Sequence, residues 1–132
     1  MTTIGSRVSL TGIDHVVLHV KDLERSKRFY TDLLGMKVNH ESSWQSFLYL
    51  GSEATQMVAL FEVNEGEFQG PRDMNHMAMV ANQGTYESIK EALESAGVQV
   101  SGRPGDPNCI YFNDPDGHRL QILYPGEHAG DH

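Results

Sequence analysis

An α+β fold of two tandem βαβββ modules, forming a curved mixed sheet around a cleft with helices on its outer face, is what this sequence predicts. Two observations carry the expectation. The same order of apolar runs and turn signals occurs twice, and the two occurrences correspond at the head of the first strand and at the end of the helix. Ile13-Asp14-His15 corresponds to Met74-Asn75-His76 at an offset of 61 positions, and Gly35-Met36-Lys37-Val38 corresponds to Gly97-Val98-Gln99-Val100 at 62. Each unit alone leaves one sheet face bare, so two units must pack together, within one chain or between two.

In the first module, Gly12 to Val20 is rich in β-branched and apolar residues and reads as a strand buried on at least one face. Asp22 then caps a helix with Leu23, Tyr30, Leu33 and Leu34 at helical spacing and Gly35 at its left-handed terminus. Apolar runs at Met36–Val38, Ser46–Leu50 and Gln56–Val63 supply three more strands. In the second, His76–Ala81 is a strand, Thr85 caps a helix carrying Tyr86, Ile89, Leu93 and Ala96, and Gly97 ends it. Strands near Val98–Val100, Cys109–Phe112 and Leu120–Tyr124 complete the unit. The modules span about 11–63 and 75–124, joined by a polar linker at 64–74 and followed by a polar tail at 125–132.

A chain of 132 residues with 39% hydrophobic content is the size of one domain with an ordinary core. The single cysteine, Cys109, forms no internal disulfide, so a cytoplasmic location is the default expectation. The N-terminal segment lacks the apolar run of a signal peptide, and no stretch is long enough to span a bilayer, so no membrane association is expected. Ten Lys and Arg against eighteen Asp and Glu give a net charge of -8, which argues against nucleic acid as a partner.

The residues able to carry chemistry are the histidines placed equivalently at the head of each module, His15 and His76. Neutral imidazole is a good ligand for first-row divalent ions, and two imidazoles on facing strands leave coordination positions open. Taken with the segments DHVVLHVKDLERSKRFYTDLLGMKV and YFNDPDGHRLQILYP, this pattern resembles the vicinal oxygen chelate superfamily of glyoxalases, bleomycin-resistance proteins and extradiol dioxygenases, from Gly12 to Tyr124.

The resemblance implies a divalent metal ion, Fe(II), Mn(II), Zn(II) or Ni(II), held in the cleft by His15, His76 and Gln121. Gln121 departs from the family's usual Glu, so an ion there keeps its full charge and is held less tightly. The fourth ligand of the isomerase branch falls, at the repeat offset, on Leu60, which cannot bind metal; Glu62 would substitute only if the strand were bulged. Asp114-Pro115-Asp116-Gly117 reads as a turn that positions the last strand and binds nothing. His19, on the same strand face as His15, is a candidate acid or base, and Tyr111 is the second candidate catalytic residue, lining a pocket with Tyr49 and Trp44.

The activity implied is that of a metal-dependent enzyme on a small molecule with vicinal oxygens. With Fe(II) this means ring cleavage of the extradiol dioxygenase type; with a redox-inert ion, a lyase, isomerase or transferase reaction. A metal-free protein that sequesters a small molecule, as in the bleomycin-resistance branch, is the rival reading. A homodimer is expected, because two such modules make a shallow open sheet best covered by a second copy.

Overall fold

A computed structural model describes residues 7–10, 12–52, 56–68, 74–103 and 106–123; the polar tail at 125–132 and part of the linker lie outside them. The first module runs β1 (His15–Val20), α1 (Leu23–Arg28), one π-helical turn (Phe29–Leu33), β2 (Lys37–Glu41), β3 (Gln45–Tyr49) and β4 (Met57–Glu62). The second repeats it with β5 (Met77–Val80), α2 (Tyr86–Ser95), β6 (Ser101–Arg103), β7 (Asp106–Asn113) and β8 (Arg119–Leu123). Each module forms its own four-stranded mixed sheet, ordered β1-β4-β3-β2 and β5-β8-β7-β6. The pairs β1–β4 and β5–β8 are parallel and the remaining pairs antiparallel.

The helix caps follow from the sequence. Asp22 accepts the Arg25 amide at 3.1 Å, and Thr85 and Ser88 form a reciprocal capping box. Gly35 (φ 79°) and Gly97 (φ 82°) take the left-handed conformation that ends each helical segment, a backbone that side chains beyond glycine resist. One strand departs from expectation: β6 lies at Ser101–Arg103, not Val98–Val100. The Val98 amide still bonds the Leu93 carbonyl at 3.0 Å as α2 closes, and Val98 and Val100 pack against the core without pairing in the sheet. Among the described residues no helix is long and apolar enough to cross a membrane.

Strand alternation sorts the side chains. Leu18, Val20, Leu48, Val58 and Leu60 turn inward to join Leu23, Tyr30 and Met36. The same buried cluster takes in Met79, Ile110, Phe112 and Leu120 of the second sheet and Leu93 of α2, so one core serves both modules.

The polar seam between the modules is built on the Asp114–Gly117 turn, which does more than position β8. Asp116, its side chain wholly buried, accepts from the Lys21 amide at 3.1 Å, Arg25 Nη2 at 3.0 Å and Ser26 Oγ at 3.0 Å, fixing the start of α1. Asp114 Oδ1 accepts the amides of Asp116 and His118, and its Oδ2 accepts the Tyr30 hydroxyl at 2.7 Å. His118, also buried, donates Nε2–H to the His19 carbonyl at 2.9 Å. Burial holds the Asp114 carboxyl above its ordinary range, although these hydrogen bonds oppose the shift. Burial, and then the charge of Asp114, push the Tyr30 hydroxyl well above the ordinary tyrosine value.

This has a pH signature. The folded chain holds the Tyr30 proton more tightly than the unfolded chain, so that contribution to stability is full below the ordinary tyrosine pKa of 10.0 and is lost as pH rises through the folded value. Tyr30→Phe is expected to flatten the alkaline fall of the thermal midpoint while costing roughly 1–3 kcal/mol at neutral pH, because Asp114 loses a buried donor. Melting curves of both proteins across the alkaline range check it; equal alkaline slopes would assign the fall to other groups.

Candidate functional site

The two repeated histidines have matching surroundings. His15 Nδ1 lies 2.7 Å from Asp14 Oδ2, and its ring stands edge-on to Phe47 of β3 at 5.1 Å and 68°. His76 Nδ1 lies 2.8 Å from Asn75 Oδ1, and its ring stands edge-on to Tyr111 of β7 at 5.3 Å and 86°. A carboxylate or amide oxygen accepts from an Nδ1–H, and the neutral tautomer with its proton there leaves the Nε2 lone pair for an ion. A histidine held in this way by a neighbouring oxygen is oriented and made more basic for metal binding.

Gln121 is buried on the second sheet, opposite Tyr111 on β7 and Ala78 on β5, and its Nε2 donates to Cys109 Sγ at 3.3 Å. With the amide nitrogen committed to sulfur, the carbonyl oxygen is the end suited to an ion. The structure therefore gathers His76, Tyr111 and Gln121 on one face of the second sheet, and places His15 on the first. Two imidazoles and an amide carbonyl suit a borderline divalent ion such as Mn(II), Fe(II), Zn(II) or Ni(II). Among the described residues no three His, Cys, Asp or Glu side chains converge on one point.

The register corrects one assignment. Val17 pairs with Ala59 as Ala78 pairs with Gln121, and Phe47 with Ala59 as Tyr111 with Gln121. The counterpart of Gln121 is thus Ala59, while Leu60 faces the core with no exposed surface. Neither side chain has a donor atom, so the consequence drawn from Leu60 is unchanged. Glu62 Oε2 accepts the Leu23 amide at 2.8 Å and is spent on the start of α1. Of the two candidate catalytic residues, His19 is half-buried on β1 with its carbonyl held by His118. Tyr111 is nearly buried beneath Arg119, whose guanidinium lies 4.4 Å from the ring centroid.

His40 was not singled out from the sequence. It stacks on Phe47 at 4.4 Å and 17°, and its Nδ1 lies 2.6 Å from Asn39 Oδ1. A bulge between Val38 and His40 brings it opposite Phe47, which simple alternation along β2 does not foretell. The recurring dipeptides Asp14-His15, Asn39-His40 and Asn75-His76 are the signal that was legible.

Residues 12–122 match the model of the Glyoxalase/Bleomycin resistance protein/Dioxygenase superfamily, and the chain belongs to that family. Over 116 residues it is 29% identical to the glutathione transferase FosA of Serratia marcescens, covering 86% of this chain and 80% of that one. It is 28% identical over 117 residues to the metallothiol transferase FosB of Staphylococcus saprophyticus, covering 86% and 76%. Among solved structures it is similar to the fosfomycin resistance protein FosX of Listeria monocytogenes complexed with Mn(II) and sulfate. That likeness has a TM-score of 0.70 at 24% identity, over 88% of this chain and 91% of that one.

Proposed function

We propose that the chain is a divalent-metal-dependent enzyme in which His15 and His76, through Nε2, and Gln121, through its carbonyl oxygen, hold the ion, within one chain or across a homodimer. The observation that carries this reading is the duplicated histidine setting, with Nδ1 on the oxygen of the preceding residue and the ring edge against an aromatic side chain, once in each module. When bound, the ion supplies Lewis acidity to two neighbouring oxygens of a small molecule. Asp14 and Asn75 orient the rings, Phe47 and Tyr111 wall them in, and His19 on the face of His15 handles a proton. A second copy covers the open face of the first sheet, where Val17 is 39% and Trp44 49% exposed.

The relatives named as glutathione and metallothiol transferases support redox-inert group transfer over ring cleavage. Incubation with Mn(II), a low-molecular-weight thiol and a small epoxide bearing an adjacent oxyanion is expected to consume thiol only when the ion is present. Dioxygen uptake with Fe(II) and a diphenol, without thiol consumption, would return the reading to ring cleavage. The burial of uncharged Gln121 beside Cys109 favours the metal-free sequestering alternative. That alternative gains if EDTA-treated protein binds small ligands and neither reaction occurs.

A further inference from the structure

At the β6 edge of the second sheet a groove of about 500 Å³ opens toward the π-helical turn of the first module. Its origin is the short β6. Ser101 pairs with Tyr111, but Val98 and Val100 pack on the core in place of continuing the sheet, so β7 runs on past its neighbour to Asn113. The Asp114 amide bonds the His118 carbonyl on the β8 side, so the alternation of an antiparallel strand turns the Asn113 amide the other way, into the groove. Among the described residues no strand pairs with it there.

Arg119 supplies the charge. It faces Asn113 across the β7–β8 pair, and its guanidinium reaches over the Tyr111 ring, 4.4 Å from the centroid. A ring face steadies a guanidinium but does not accept its N–H donors as a carboxylate would. The chain has eighteen acidic residues against ten basic, yet among the described residues no carboxylate forms an ion pair with Arg119. The acid among the described lining residues, Asp114, is committed through Oδ1 to two amides and through Oδ2 to the Tyr30 hydroxyl. Asp116 beyond it is buried against Arg25 and Ser26. Phe29 and Val98, both partly exposed, add an apolar wall.

We infer that this groove is a second binding site, for a small carboxylate carried on an apolar body. The carboxylate bonds to Arg119 and the Asn113 amide, and the body lies against Phe29 and Val98. The site is independent of the proposed ion, because none of the groups that form it is among the ligands assigned to that ion.

Benzoate is the probe and benzamide its uncharged counterpart, followed in nitrogen-15 amide spectra of EDTA-treated protein. Benzoate is expected to shift the Ser101 and Asn113 amides saturably, and benzamide to bind at least about tenfold more weakly, the scale of one charge-assisted hydrogen bond. Arg119→Gln removes the guanidinium, and Ser101→Asp, at an exposed position, places a competing carboxylate on the strand beside Tyr111. Each is expected to weaken benzoate binding by about tenfold, with amide signals elsewhere unmoved to show that the fold persists. Shifts that stay linear with concentration and are matched by acetate would overturn the inference, as would benzoate binding unaltered in both variants. Shifts that appear only once Zn(II) is added would place the carboxylate on the ion and overturn it equally.

Discussion

Removing either imidazole, in His15→Ala or His76→Ala, is expected to weaken Mn(II) binding by at least about a hundredfold, the upper end of what losing a mere supporting partner costs. The donor set explains the size of the effect. Gln121 offers a neutral carbonyl in place of a carboxylate, so all three donors are uncharged and losing one nitrogen leaves the ion with only two neutral protein ligands. Both histidines sit at strand starts, His15 exposed and His76 half-buried, so the fold is expected to survive either substitution. Equilibrium dialysis with unaltered thermal melts checks this. Gln121→Glu is expected to act in the opposite direction, tightening the ion through an added negative charge while lowering its Lewis acidity and so turnover.

Asp116→Ala is expected to lower stability by roughly 2–4 kcal/mol, the range for deleting a buried, charged acceptor with several donors. Three donors from the start of α1 lose their partner together, and Ser26 among them is fully buried. Because those bonds cross between the modules, the loss falls on the seam that orients one sheet against the other. Arg25→Ala, which removes only a half-exposed partner, is expected to cost about 1 kcal/mol or less. Urea denaturation, read at midpoint with an unchanged slope, measures both. An Asp116→Ala protein as stable as the unaltered chain would mean that the turn is held by its backbone alone.

Much of the fold was legible because its determinants are local. Asp22 and Thr85 cap, Gly35 and Gly97 stop, and the apolar alternation between them fixes strands. What was not legible depends on pairing across the chain. Ala59, not Leu60, matches Gln121 because strand register, not a constant offset, decides the equivalence. His40 reaches Phe47 only through a bulge. The seam formed by Tyr30, Asp114, Asp116 and His118 joins residues about 90 positions apart, and nothing within the Asp-Pro-Asp-Gly turn announces the helix it holds. At the candidate site, the sequence offered His15, His76, His19, Tyr111 and Gln121; the structure added the oxygen behind each imidazole and the rings beside it.

The central claim is that imidazole nitrogen from both modules binds one ion, and pulsed electron paramagnetic resonance of bound Mn(II) tests it most directly. In protein carrying nitrogen-15 only in its histidines, the ion is expected to couple to two imidazole nitrogens, and to one in His15→Ala or His76→Ala at saturating Mn(II). A bound Mn(II) with no histidine coupling, or with coupling unaltered by either substitution, would contradict the account.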